Sequence, residues 1–193
     1  MHLNHRLSTI ATLVAMVAVA VIARWLPHPP NFTPLAAMAL FAGATMMRPW
    51  VSAATIVTAM LVSDALIGVH SLMPVIYGCL LLNVWIGHRW LANRSTAAGP
   101  RRAMLVVGGS LLGSVVFFAV TNFGHWLCFY PHTTDGLFSC FTAAIPFFQY
   151  TVTGDLFYAG VFFSAHAFAG RAVGVTSHGK TSLVGNAVRS PIR

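Results

Sequence analysis

Six long apolar runs divide this chain, at about 7–25, 34–47, 50–68, 74–92, 103–123 and 143–170, and nearly all the charge lies between them. The sequence is 57% apolar and 7% charged, and it contains no Glu. About 20 apolar residues cross a hydrocarbon core, a length that four of the runs reach comfortably. The 34–47 run is short and would tilt little, thin the bilayer locally, or borrow flanking residues such as Met46 and Trp50. Threaded alternately from a cytoplasmic N-terminus, the runs place Arg6, Arg48, Arg89, Arg94, Arg101, Arg102, Arg171, Lys180, Arg189 and Arg193 on the cytoplasmic side. Only Arg24 falls outside. The inverted threading would reverse this positive-inside bias almost completely. The expected architecture is therefore an all-α integral membrane protein with six transmembrane helices in one bundle. Both termini would be cytoplasmic, in a bacterial inner membrane. Residues 1–171 would form the bundle and 172–193 a flexible basic cytoplasmic tail, rich in Ser, Thr and Gly.

A formal net charge of +8 would suit nucleic acid in a soluble protein. Here the charges sit in short loops and a tail, where topology and anionic headgroups account for them, so no nucleic-acid partner is expected and membrane lipid is. The first run resembles a signal peptide in carrying His2, His5 and Arg6 before it, yet it is too long for that role and Arg24-Trp-Leu-Pro-His-Pro-Pro is no small-residue cleavage site. A retained helix is expected. Gly174-Val-Thr-Ser-His-Gly179-Lys180-Thr181 matches the P-loop pattern formally. A working P-loop follows a buried strand within a nucleotide-binding fold; here a membrane helix precedes it, so no nucleotide is expected to bind this chain.

Recognition groups concentrate in the three outer connections. The first, from Arg24 to Pro34, holds four prolines that keep it extended and stiff. The second is a tight link near Gly68-Val-His-Ser-Leu-Met-Pro74, and the third a long aromatic loop over about 124–142. Only three acids occur. Asp135 would be solvated, Asp64 partly wetted near the outer end of the third helix, and Asp155 buried deep in the sixth, with Asn83 as a polar neighbour at similar depth. Facing mid-depth His pairs, which an intramembrane haem would want, are missing from the runs. Ala11 and Ala15 are small residues four apart on the first helix, suited either to close packing inside the bundle or to docking of another membrane subunit.

Cys128 and Cys140 share the third outer connection, where an oxidising compartment would allow a disulfide. Cys79 lies in Pro74-Val-Ile-Tyr-Gly-Cys-Leu-Leu-Leu-Asn83, about a turn and a half below the outer end of the fourth helix, with Gly78 leaving room beside it. It reads either as a small buried hydrophobe or as a thiolate ligand for a soft or borderline transition metal arriving from outside.

Leu26-Pro-His-Pro-Pro-Asn-Phe-Thr-Pro-Leu-Ala-Ala-Met-Ala-Leu-Phe-Ala-Gly43 resembles the first loop and second helix of a family of small six-span transport proteins. Val62-Ser-Asp64, Ala143-Ala-Ile-Pro-Phe-Phe148 and Gly154-Asp-Leu-Phe-Tyr158 agree with it, so that the likeness covers most of residues 24–165. That family is related to the substrate-binding S-components of energy-coupling-factor (ECF) vitamin transporters. Within it the chain most resembles the BtuM-type, cobalamin-specific S-components, through Cys79 in Tyr77-Gly78-Cys79. The resemblance implies an S-component-like bundle that binds cobalamin or a corrinoid precursor in an outward-facing cavity, with Cys79 as axial cobalt ligand. His28 would be the next metal candidate, over the ring or at its lower ligand. Asn31, Asp64, Tyr77, Asn83, Asn122, His125 and Gln149 would offer hydrogen bonds to the ligand, and Phe32, Trp126 and Phe147 would cover its apolar faces. Ala11 and Ala15 would face an ECF coupling subunit, with separate ATPases. Cobalamin would be cargo, with no prosthetic group and no enzymatic role beyond loss of an upper ligand, such as cyanide, when the thiolate enters. The rival expectations are another vitamin or a metal ion as cargo, or a small membrane enzyme with Cys79 as nucleophile and His70 approaching as base.

Overall fold

The computed structural model describes residues 2–46, 48–92 and 99–187, with side chains over 14–46, 48–92 and 99–169. It is all-α, with six helices: α1 His2–Trp25, α2 Leu35–Thr45, α3 Pro49–Ile67, α4 Met73–Trp90, α5 Pro100–Phe129 and α6 Thr134–Ala187. Their starts follow proline. Pro49, Pro74 and Pro100 sit in the first turns of α3, α4 and α5, where the missing N–H costs no helical hydrogen bond. Gly68 ends α3 at φ 116°, a backbone that a side chain would resist.

The short second run becomes the hub. α2 touches α3, α4, α5 and α6, whereas α1 packs on α3 at the periphery. Ala37, Ala39, Ala42, Gly43 and Ala44 are all buried, because a helix that is small and apolar all round lets neighbours approach from every side. The α2–α4 crossing is the closest. A Cβ on Gly43 would strike the Val84 carbonyl, and one on Gly87 would strike the Leu40 carbonyl, so the two backbones meet through a reciprocal pair of glycines. Met38, Ile56, Met60 and Leu80 complete the core beside them.

Large apolar side chains also lie outside. The buried residues of α5 are Val106, Gly109, Ser110, Gly113, Ser114 and Gly124. Its exposed face carries Met104, Val107, Leu111, Val115, Phe123 and Leu127 at helical spacing. α3 buries Ser52, Thr55, Ser63 and Asp64 beside Ile56, Ala59 and Met60, and exposes Trp50, Leu61, Val62 and Leu66. Among the described residues, α3 and α5 are long and apolar enough to cross a membrane.

Two sequence expectations change. The long third loop does not exist as such: α5 runs to Phe129 and α6 begins at Thr134. The link between them is held by Trp126 Nε1 donating to the Pro131 carbonyl at 2.9 Å and by the His132 ring against the Leu127 carbonyl. α6 also continues through Pro146 and on to Ala187, so the segment expected as a flexible tail is helical as far as that residue, the Gly174–Thr181 stretch included. The side chains of that stretch and of Ala11, and the loop residues 93–98, lie outside the described residues.

Candidate functional site

The α1–α2, α3–α4 and α5–α6 connections converge on one end of the bundle. Asn31, Leu72 and Tyr130, one from each, border a single cavity of about 340 Å³ there. Its walls come from α4 (Ile76), α5 (Phe117, Asn122, His125) and α6 (Phe147, Thr151). A second cavity of about 200 Å³ shares Asn31, Ile76, Phe117 and Thr151 with the first and reaches inward to Arg24, His28 and Asp155. Together they form a crevice between α4, α5 and α6, roofed by the Pro-rich loop.

That loop is seated on α6. Asn31 takes a left-handed backbone, φ 64°, which turns the chain so that Phe32 lies over Gly154 and packs against Tyr158 and Phe157, with ring centroids 5.5 and 6.1 Å away. The glycine lets the loop sit close: a Cβ on Gly154 would press on Phe32 Cα at 3.2 Å, so the loop would have to give by a few tenths of an ångström.

Of the residues predicted to meet a ligand, Asn31, Asn122, His125 and His28 border the crevice. His125 stacks on Phe129 at 4.7 Å, Asn122 returns its amide to the Phe118 carbonyl, and His28 Nδ1 lies 2.9 Å from the Pro29 carbonyl. Cys79 is buried, 4% exposed, on the α4 face that carries Ile76 and Leu80, and these two rather than Cys79 form the crevice wall. Gly78 is exposed, and a Cβ on it would meet nothing, so the room it leaves lies away from the sulfur, not over it. Asn83 is buried against Gly113 and donates to the Cys79 carbonyl at 3.1 Å. Gln149 is exposed, two positions from both Phe147 and Thr151 and so on another side of α6. His70, the base that a nucleophilic Cys79 would need, is exposed on the α3–α4 link.

Asp64 corrects the sequence reading most sharply. It is not wetted: it is 2% exposed and engaged on both oxygens. Arg24 Nη1 donates to Oδ1 in an ion pair, and the Tyr77 hydroxyl donates to Oδ2 at 2.7 Å. The one basic residue that breaks the charge bias is therefore neutralised across α1, α3 and α4. Asp155 is 3% exposed, and its partner is not Asn83 but Ser114, whose hydroxyl donates at 2.6 Å from α5. The disulfide option also falls away. Cys128 is free and exposed near the end of α5, while Cys140 is free and buried on α6, its thiol directed at the Asn122 carbonyl.

Arg24, Ile76, Thr151 and Phe117 were missed as wall residues. For Arg24 a signal was present: a lone arginine on the wrong side of the charge bias calls for a carboxylate, and Asp64 is the acid within an apolar run that lies nearest that end of the bundle.

Fold and site thus define an all-α six-helix protein with a polar, aromatic-lined crevice at one end. The chain belongs to a family of unknown function (DUF6580), which it matches over residues 4–178. No curated protein and no solved structure matches it significantly.

Proposed function

We propose that this chain is a six-span inner-membrane S-component that binds cobalamin or a related corrinoid from outside and carries it inward. The membrane setting is supported by the large apolar side chains on the exposed faces of α3 and α5, which bury several Ser and Gly residues and Asp64. Exposed apolar surface of that kind marks a face that meets lipid or another protein. The alternation of basic residues and the convergence of all three odd-numbered connections on one crevice agree with cytoplasmic termini and an outward mouth. α2 needs no full span of its own, being enclosed by protein on all sides.

The observation that carries the cargo reading is a set of amide and imidazole groups, Asn31, Asn122, His125 and His28, around one crevice, with Cys140 on its wall and Cys79 buried on the α4 face behind Ile76 and Leu80. Cys79 is the axial cobalt ligand, His28 lies over the ring, and Asn31, Asn122 and His125 hydrogen-bond to its amide-rich rim. Phe117, Phe118 and Phe147 cover its apolar faces, with Phe32 in the roof. Asp64 and Tyr77 saturate each other and Arg24, and so brace the wall. The crevice is at the small end of ligand pockets. A corrin therefore enters as the Pro-rich loop lifts Phe32 from Gly154, and it reaches Cys79 as Ile76 on the α4 wall gives way. Release inward follows rocking of the whole bundle, alone or docked through α1, whose Ala15 is exposed, on a coupling subunit driven by separate ATPases.

Equilibrium binding to purified protein tests this. Cobalamin is expected to bind and to change its cobalt-centred absorption, while non-corrinoid vitamins and free metal ions do not bind. Binding of another vitamin with no response to cobalamin would keep the transporter and replace its cargo.

A further inference from the structure

At the opposite end of the bundle, α5 and α6 diverge to leave a groove of about 310 Å³. It follows residues 99–107 of α5 and 156–167 of α6, a path of about 12–16 Å along the helices. Its floor is apolar and small, with Val106, Ala159 and Gly160, whereas its end near the start of α5 is polar, with Arg102, Ser164 and His166. Arg102 lies over the Phe163 ring, 5.9 Å from its centroid. Among the described residues, none of the chain's three acids borders the groove. Gly160 is the telling position. It is exposed, and a Cβ built on it meets no described atom within 4 Å, so no described side chain fills the space above it.

We propose that this groove binds one anionic phospholipid of the cytoplasmic leaflet, with its phosphate at Arg102 and one acyl chain laid over Gly160 between α5 and α6. The proposal rests on the membrane reading above, which places Arg102 at the cytoplasmic interface and the apolar part of the groove in the hydrocarbon. Charge complementarity selects the headgroup. Arg102 and the exposed Arg101 beside it meet the leaflet where anionic lipids concentrate, and the first turn of α5 adds the positive end of its dipole. Shape selects a lipid over a soluble anion, because a free phosphate would leave the apolar floor in contact with water. The site lies away from the crevice and shares no residue with it.

The test is lipid retention in native mass spectrometry, on full-length protein extracted from nanodiscs of mixed phosphatidylglycerol and phosphatidylcholine. Wild type is expected to keep one phosphatidylglycerol in preference to phosphatidylcholine. Gly160→Leu, whose Cβ meets no described atom within 4 Å, puts an isobutyl group into the groove and should abolish retention of either lipid, with thermal unfolding unchanged or raised. Arg102→Gln should keep the groove but weaken the preference about fivefold, the ~1 kcal/mol that one basic side chain contributes at an anionic surface. Equal retention of the two lipids by wild type, or undiminished phosphatidylglycerol on Gly160→Leu, would overturn the site. Recovery of the protein in the soluble fraction without detergent would overturn the membrane reading and the site together, whereas detergent-dependent extraction without lipid selectivity would overturn the site alone.

Discussion

Breaking the Arg24–Asp64 pair should be among the most destabilising polar changes available in this bundle. Exposed ion pairs are worth about 0–1 kcal/mol, but loss of one partner of a buried pair costs about 3–5 kcal/mol because the other charge is stranded. The two members are not equivalent. Asp64 is 2% exposed and Arg24 15%, so a stranded guanidinium can recover some hydration and a stranded carboxylate cannot. Arg24→Leu should therefore cost about 3–4 kcal/mol, the value for a buried charge. Asp64→Leu should cost less, about 2–3 kcal/mol, after discounting that range for the hydration Arg24 regains. Tyr77→Phe removes one hydrogen bond to a charged acceptor and should cost about 1.5–3 kcal/mol. The double variant Arg24→Leu/Asp64→Leu strands nothing and should cost well under the sum of the singles. The assay is a double-mutant cycle on reversible unfolding in mixed micelles, where residues in direct contact show coupling of about 0.5–3 kcal/mol. Additive single effects, or single losses no larger than those of a surface pair, would refute the reasoning.

Glycine positions give a paired contrast. Gly43→Ala should destabilise by about 1–3 kcal/mol through overpacking against Val84, although Ala is the better helix former. Gly78→Ala, which meets nothing, should be neutral or stabilise by up to about 1 kcal/mol in thermal unfolding. A membrane-impermeant maleimide applied to intact spheroplasts should modify Cys128 rapidly and leave Cys79 and Cys140 unmodified until the protein is unfolded. Equal labelling of all three would contradict the burial pattern, and no labelling of Cys128 until lysis would contradict the outward orientation of that end.

The helices were legible because their signals are local. Apolar runs bounded by Pro49, Pro74 and Pro100 place α3, α4 and α5 within a few residues of where they fold, and the short Ala/Gly-rich second run is visible as such. Its role as hub was not, since that depends on which backbones meet at Gly43 and Gly87. The third connection was misread because α5 and α6 extend past the apolar runs, so that most of 124–142 is helical and Trp126 and His132 brace a short link. At the crevice, Asn31, His28, Asn122 and His125 came from the family resemblance, and they border the same space. Sequence could not assign Asp155 to Ser114 rather than Asn83, a choice fixed by the relative rotation of α4, α5 and α6. Nor could it tell that Gly78 faces away from the crevice while Cys79 faces inward.

The most direct test of the cargo assignment is the visible spectrum of cobalamin bound to wild type and to Cys79→Ser. Serine nearly matches cysteine in volume at this buried position but is no soft thiolate donor. Wild type should show a thiolate–cobalt absorption signature. Cys79→Ser should fold, lose that signature and bind cobalamin far more weakly, while Cys128→Ser, outside the crevice, keeps both. An unchanged spectrum and affinity in Cys79→Ser would contradict the assignment and leave Cys79 a packing residue on α4.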